Sequence, residues 1–333
     1  MKTKVNPLLF FVAIFILFIR LSSFSAEKWS VREVRAAGPD EERFFSRLVD
    51  LEVSKEKVFI LDSQESTIAV FSFEGKRLYN IGKYGHGPGE FIHPADMSLG
   101  EDEIAVLDSE DFKVLLFSTD GSYKDGFRIG FRGHRLLRLS KDRIMVSRLP
   151  RPKEKNTFLL YFFDRQGKLQ FQAEKISSTE SGAYDYLLFQ HWLVKVEEKA
   201  VLLKPFGSES AIFLDENGRR TKVLKPAPDY PTLLFRPPLP RIKNIQGLLW
   251  SAALSGDNFY FILPGKMDDG DLGPSNQVAV VNFDGQLKAV ITFPIAIYKL
   301  AVLQNRFFVI DEAAQLRLFD LFKGESPAGD KNI

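Results

Sequence analysis

A strand that ends in a glycine turn, Thr67-Ile-Ala-Val-Phe-Ser-Phe-Glu-Gly75, decides the fold because its pattern recurs along the chain. The apolar run is typical of a buried strand, and a glycine at its end favours a tight hairpin turn. The pattern occurs six times, and the first three closing glycines are 46 residues apart. The closing glycines are Gly75, Gly121, Gly167, Gly218, Gly285 and Gly324. A period of this size built from strands predicts a circular array of sheets, each packed against its neighbours.

Each of the first five repeats extends to four strands. In the first repeat, apolar runs over residues 48–51 and 58–61 precede the strand that ends at Gly75, and residues 76–81 follow it. Four antiparallel strands joined by hairpins form one propeller blade. The sequence therefore predicts an all-β fold: a six-bladed β-propeller of four-stranded antiparallel blades.

The two ends of the repeat array complement each other. The sixth repeat stops soon after Gly324 without a fourth strand, whereas residues 29–34 form a strand that belongs to no repeat. Pairing them would close the ring and remove two exposed sheet edges. We therefore expect residues near 29–36 to form the outermost strand of the last blade, in a propeller that spans residues 28–325. Residues 326–333 would then be a C-terminal tail.

The amino-terminal segment is typical of an export signal. Lys2 and Lys4 precede an apolar run over residues 8–19, and small residues follow up to Ala26. This run is too short to span a bilayer comfortably but fits the core of a signal peptide. We expect a signal peptide over residues 1–25, cleaved after Ser25, and an exported protein that is periplasmic or extracellular. Retention of the segment as an anchor is the alternative.

Charge and cysteine content exclude several classes of protein. The signal segment carries Lys2, Lys4 and Arg20 and no acid, so its removal changes the net charge from +2 to about −1. No basic footprint for nucleic acid remains. Cysteine is absent, which excludes disulfides and thiolate metal sites. We expect no nucleic-acid partner, and no stable membrane span after signal removal.

One repeat carries a recognisable motif. The run Gly82-Lys-Tyr-Gly-His-Gly-Pro-Gly-Glu-Phe-Ile-His-Pro94 is followed by residues 104–108 and by Asp120 and Gly121. This arrangement resembles the NHL repeat of six-bladed propellers. Members of that family include interaction scaffolds, ligand-binding domains and a few lyases or esterase-like enzymes, so the resemblance implies the fold and leaves the activity open. Asp62 and Asp108 follow equivalent strands, and we expect both carboxylates to accept backbone hydrogen bonds in the loops.

All the elaborated loops are predicted on one face, which we call the top face. If the first strand of each blade runs away from it, the loops over residues 82–90, 148–155, 225–244 and 264–274 all lie there. Long loops on a rigid scaffold commonly carry recognition. We therefore expect a protein, peptide or small-molecule ligand to bind this face. The candidate contact residues are Tyr84, His86, Glu90, Arg135, Arg148, Arg151, Tyr230 and Phe235.

The histidines suggest an alternative function. His134 and His191 occupy the same repeat position, and His93 falls one residue earlier. Three imidazoles around a channel could hold a divalent ion such as Zn²⁺ with an open coordination position. This arrangement would make the protein a metal-dependent lyase or hydrolase. Asp268, Asp269 and Asp271 suggest Ca²⁺, but the spacing of a calcium loop is absent. We favour a binding module without a cofactor over this enzyme.

Overall fold

The computed structural model describes residues 29–36, 47–151, 154–178, 189, 191–204, 209, 211–224, 251–266 and 272–323. Within them the chain is built of strands. In chain order these are β1 (Trp29–Ala36), β2 (Leu48–Val53), β3 (Lys57–Asp62), β4 (Thr67–Ser72), β5 (Arg77–Ile81), β6 (Pro94–Leu99), β7 (Glu103–Asp108), β8 (Lys113–Ser118), β9 (Tyr123–Arg128), β10 (Arg135–Ser140), β11 (Arg143–Ser147), β12 (Lys155–Phe163), β13 (Leu169–Ser178), β14 (Trp192–Val196), β15 (Lys199–Leu203), β16 (Ala211–Leu214), β17 (Arg220–Leu224), β18 (Ala252–Ser255), β19 (Asn258–Lys266), β20 (Leu272–Asn282), β21 (Leu287–Thr292), β22 (Ile297–Leu303), β23 (Arg306–Asp311) and β24 (Leu316–Lys323).

These described strands form six antiparallel sheets of four strands each, which confirms the predicted propeller. Blades 1 to 5 are β2–β5, β6–β9, β10–β13, β14–β17 and β18–β21. Blade 6 has the order β22-β23-β24-β1, so the amino-terminal strand supplies its outermost strand as predicted. Trp29 of β1 pairs with Lys323 of β24, and its ring is buried in the core between blades 5 and 6.

Among the described residues, the core is divided into six apolar clusters, one between each pair of neighbouring blades. Side chains alternate between the two faces of a sheet, so one strand contributes to two clusters. In β3, Phe59 and Leu61 pack toward blade 2, whereas Val58 and Ile60 pack toward blade 6 with Phe308. Contact between the first and last blades shows that the ring is closed.

The turns divide between two faces as the strand directions require. On the bottom face, Glu103 lies beside the turn between the first two strands of blade 2. It forms an ion pair with Arg165, which lies in the turn between the last two strands of blade 3. On the top face, the segment that connects blade 1 to blade 2 contacts the loop between the second and third strands of blade 2. In this contact His86 Nδ1 lies 3.2 Å from Asp111 Oδ1. Asp108 accepts backbone hydrogen bonds from Ile92, His93, Glu110 and Asp111, which confirms its expected structural role.

The loop expected over residues 264–274 is shorter than predicted. The strands β19 and β20 remain paired up to Lys266 and Leu272, because Pro264 and Gly265 still oppose Pro274 and Gly273. Asp268, Asp269 and Asp271 lie outside the described residues, as do the signal segment over residues 1–25, the proline-rich stretch over 225–244, Gly324 and the tail over 326–333. Within the described residues, no helix is long and apolar enough to cross a membrane.

Candidate functional site

Six residues, one from each blade, form a ring around the central channel, which we call the channel ring. Each lies on or directly before the innermost strand of its blade, opposite the fifth residue of the second strand. Because the six positions are equivalent in their blades, they lie at one level of the channel. The channel ring consists of Asp50, Asp96, Arg135, Trp192, Ser251 and Lys299.

The two acids of the channel ring link one blade to the next. The inner edge of each innermost strand has no neighbouring strand, so its amide groups need other partners. Asp50 Oδ2 accepts from the Met97 amide of blade 2 at 3.3 Å. Asp96 Oδ2 accepts from the Leu136 amide of blade 3 at 2.6 Å. Burial raises the pKa of Asp96 to about 7 although nearby Arg135 opposes that rise.

The cations of the channel ring lie beside these acids. Arg135 Nη1 is 3.3 Å from Asp96 Oδ1, and its guanidinium carbon is 6.0 Å from the centre of the Trp192 ring. Lys299 is half-buried, and burial together with the charge of Arg135 lowers its pKa, while Asp50 and Asp96 act against this. The channel ring therefore combines two carboxylates, two cations, an indole and a hydroxyl.

Further toward the bottom face, the channel remains polar. Burial and the charges of Asp50 and Asp96 raise the pKa of Glu52 well above its usual range, and Lys195 opposes this rise. Arg138 Nη2 lies 2.9 Å from Glu103 Oε2 at the lower end of the innermost strand of blade 3. Charged groups thus continue below the channel ring toward the bottom face.

His134 and His191 meet at the top of the channel, directly before Arg135 and Trp192. Their ring centres are 5.1 Å apart, and the rings meet edge to face. His191 Nδ1 lies 2.7 Å from the Phe189 carbonyl oxygen, so this nitrogen carries the proton and donates it. Its Nε2 then accepts from the Ser147 hydroxyl at 2.7 Å. The expected equivalence of the two histidines is confirmed.

The Ser147–His191 pair has the connectivity of a nucleophile and its base, but its environment is that of the core. Both side chains are buried, and Ser147 has no exposed surface that a substrate could reach. Burial lowers the pKa of His191 to about 3, far from the range of an effective general base at neutral pH. Burial also lowers the pKa of His134 well below its usual range. The arrangement is therefore structural.

His93 is placed apart from this pair. It lies three residues before Asp96, beyond a bulge in the ladder between Pro94 and Asp96, and its Nδ1 is 3.3 Å from Ser109 Oγ. In the described part of the chain, no three His, Asp or Glu side chains cluster closely enough to hold a metal ion. A site made of His93, His134 and His191 stays a prediction.

Tyr84, His86 and Glu90 share one braced loop at the rim of the top face. The Phe91 amide donates to the Lys83 carbonyl at 2.8 Å, and the Gly85 amide donates to the Phe91 carbonyl at 3.0 Å. Glu90 Oε2 accepts from the Gly87 amide at 2.8 Å, so its carboxylate faces into the loop. The Tyr84 ring, in contrast, is 70% exposed.

Arg148 and Arg151 lie together at the two-three loop of blade 3. Arg148 Nη2 is 2.6 Å from Glu154 Oε2, and the same oxygen accepts from the Arg151 amide at 2.8 Å. The guanidinium of Arg148 is also 6.0 Å from the centre of the Phe131 ring. Tyr230 and Phe235 lie outside the described residues.

Sequence reasoning missed most of the channel ring. Asp50 and Asp96 carry a signal that could have revealed them, because they are 46 residues apart like Gly75 and Gly121. Trp192, Ser251 and Lys299 share no residue type with them, and only the ladder register shows that their positions are equivalent.

Comparison with known proteins agrees with the fold. A model of a family described as 6-bladed beta-propeller matches residues 40–145. A Bacteroides fragilis NCTC 9343 protein that is predicted to be exported superposes with a TM-score of 0.59 at 13% identity, over 92% of this chain and 97% of that one. Virginiamycin B lyase from Staphylococcus aureus superposes with a TM-score of 0.51 at 10% identity, over 89% of this chain and all of that one (100%). At these identities the likeness shows the fold alone. No curated protein sequence matches significantly.

Proposed function

Starting from a six-bladed β-propeller, we propose that the chain is an exported binding module that holds a partner at its top face. The observation that carries the proposal is the Tyr84 side chain, which is 70% exposed on a loop braced by backbone and Glu90 hydrogen bonds. Export rests on the amino-terminal segment, with cleavage after Ser25.

A rigidly mounted, exposed tyrosine is suited to recognition. Its ring offers a large contact area with few rotatable bonds, so little conformational entropy is lost when a partner covers it. Tyrosines are also enriched among the residues that dominate binding energy at protein interfaces. His86 beside it, paired with Asp111, supplies polar groups at the margin of the same surface.

The burial of the Ser147–His191 pair favours a binding function over hydrolysis. A nucleophile needs contact with its substrate, and Ser147 is sealed in the core. The loop that carries Tyr84, in contrast, presents an exposed aromatic ring and polar groups on the face where we expect a partner to bind.

Affinity capture from the envelope fraction of the source organism tests the proposal. The mature chain, Tyr84→Ala and Leu169→Ala serve as three baits. Leu169 is also exposed (44%) but follows a bottom-face turn of blade 3, so it is the matched control. We expect one component to be retained by the mature chain and by Leu169→Ala and to be lost with Tyr84→Ala. Loss with Leu169→Ala alone, or no specific component, would contradict the proposal. Amino-terminal sequencing of the exported protein checks cleavage after Ser25.

A further inference from the structure

The channel ring holds more hydrogen-bond donors than the described residues satisfy. Its acceptors lie on blades 1 and 2, where Asp50 and Asp96 are placed. Its donors lie on the four consecutive blades 3 to 6, where Arg135, Trp192, Ser251 and Lys299 are placed. The two groups of side chains differ in how many of their hydrogen bonds are already formed within the protein.

The carboxylates are engaged by the protein itself. Asp50 Oδ1 accepts from the Leu51 amide at 2.9 Å, and Oδ2 accepts from the Met97 amide at 3.3 Å. Asp96 accepts from the Leu136 amide at 2.6 Å and from Arg135 Nη1 at 3.3 Å. All four carboxylate oxygens thus have a donor, and three of the four donors are fixed backbone amides.

Fewer of the donor groups have a hydrogen-bond partner. Arg135 Nε is buried without an acceptor, although Nη1 of the same side chain reaches Asp96. Within the described residues, Lys299 forms no ion pair within 4.0 Å and no side-chain hydrogen bond, while the indole N–H of Trp192 and the hydroxyl of Ser251 have no acceptor. Of these groups, Arg135 Nε is the one held away from water. A buried donor without an acceptor costs free energy, so an acceptor placed beside it would be stabilised.

We infer that the channel ring is a binding site for a ligand that bears a single carboxylate, held by Arg135, Trp192, Ser251 and Lys299. Guanidinium and ammonium groups form their strongest hydrogen bonds with such an anion. The ring carries two carboxylates against two cations, so a bound monoanion leaves one uncompensated negative charge and a dianion leaves two, which favours the monoanion. This site goes beyond the proposed partner surface at Tyr84 and does not depend on it.

Two sources of a carboxylate fit this chemistry: a free organic acid and the carboxyl terminus of a peptide. N-acetylglycine represents the first, and N-acetyltriglycine represents the second. N-acetylglycinamide keeps the same shape as N-acetylglycine without the charge, and therefore isolates the contribution of the carboxylate. Inorganic phosphate, which is mostly dianionic at pH 8, serves as the dianionic probe.

The experiment measures the affinity of the mature chain for each probe by calorimetry at pH 8 and low salt. We expect N-acetylglycine to bind at least about tenfold more tightly than its amide and than phosphate. Lys299→Gln should reduce the preference for the acid to within about threefold, because one of the two cations is removed. Lys168→Gln, at an exposed turn on the bottom face, should leave it unchanged.

Trp192→Phe provides a second variant that removes only the indole N–H and keeps an aromatic ring beside Arg135. It should weaken binding of the acid by about threefold to tenfold and leave binding of the amide unchanged. Tighter binding of N-acetyltriglycine than of N-acetylglycine would assign the site to peptide termini, and equal binding would assign it to free acids. Equal affinity for acid and amide, tighter binding of phosphate, or full affinity in Lys299→Gln and Trp192→Phe would overturn the inference. Capture through Tyr84 would stand in that case, so the two failures are distinguishable.

Discussion

The Asp96 carboxylate and the Leu136 backbone amide form a 2.6 Å hydrogen bond that crosses from blade 2 to blade 3 beside the channel. Asp50 makes the corresponding bond from blade 1 to blade 2. Each of these acids provides a partner for an edge amide that no strand can reach. The same side chains therefore join the blades and determine the charge of the channel.

Removing the Asp96 carboxylate should weaken this junction. Asp96→Ala leaves the Leu136 amide without an acceptor, and we expect the free energy of unfolding to fall by about 1–3 kcal/mol. Urea denaturation at pH 7 measures the change. Asp284→Ala, whose carboxylate is exposed in a turn, should change it by less than about 0.5 kcal/mol. Equal losses in the two variants would show that the cross-blade bond contributes nothing specific.

Acidification should destabilise the protein through His191. Burial holds its pKa at about 3 in the folded chain, against about 6.5 when unfolded. The unfolded state therefore binds more protons between these values, and the stabilisation present above pH 6.5 is lost as the pH falls toward 3.

The measurement is the free energy of unfolding against pH for the unaltered protein and for His191→Gln. Between pH 6 and 4 the variant should have a shallower slope, by up to about 1.4 kcal/mol per pH unit. Asp96 acts in the opposite direction between about pH 4 and 7, because its folded pKa is raised, but it is present in both proteins. Superimposable slopes would mean that His191 is not held neutral.

The glycine-rich loop should tolerate no side chain at Gly82. Its φ is +75°, and an added Cβ would lie 2.1 Å from Phe91 Cε2, a ring buried between blades 1 and 2. Gly130 has nearly the same φ, +73°, but an added Cβ would meet nothing within 4 Å. Backbone strain therefore affects both substitutions, whereas overpacking against Phe91 affects only Gly82→Ala.

We expect Gly82→Ala to lower the free energy of unfolding by about 1–3 kcal/mol more than Gly130→Ala does. Thermal or urea denaturation of the two variants gives the difference directly. If the two substitutions cost the same, Phe91 moves aside without a penalty, and the loop is not the rigid mount for Tyr84 that the proposal requires.

Metal analysis separates the binding module from the metal-dependent enzyme. After incubation with Zn²⁺ and dialysis, we expect the mature chain to retain well below one equivalent of the ion, and His134→Ala to retain the same amount. Structural and catalytic zinc sites need three or four converging ligands. One equivalent that is lost in His134→Ala would support the lyase or hydrolase alternative instead.

The propeller could be predicted because its determinants are local and repeated. Apolar runs, polar turns and glycines such as Gly75 and Gly121 fix the strands and hairpins of blades 1 to 5. The pairing of residues near 29–36 with the last blade followed from an unmatched strand at one end and a missing strand at the other.

The candidate site could be predicted only in part, because side-chain direction depends on register and on bulges. The equivalence of His134 and His191 followed from spacing, but their burial did not. The sequence does not show that glycines allow the backbone of this loop to turn around the Glu90 carboxylate, and a ligand contact at Glu90 stays a prediction. The position of Lys299 in the channel ring depends on a β-bulge between Ile297 and Lys299. The spacing of residues in the sequence does not reveal this bulge.

Site-specific photo-crosslinking in cells of the source organism tests directly whether the top face binds a partner. A benzophenone amino acid replaces Tyr84 on the top face in one strain and Leu169 near the bottom face in another. We predict a discrete crosslinked product of the exported chain from position 84 and none from position 169. Products from position 169 alone, or equal products from both positions, would contradict recognition at the top face.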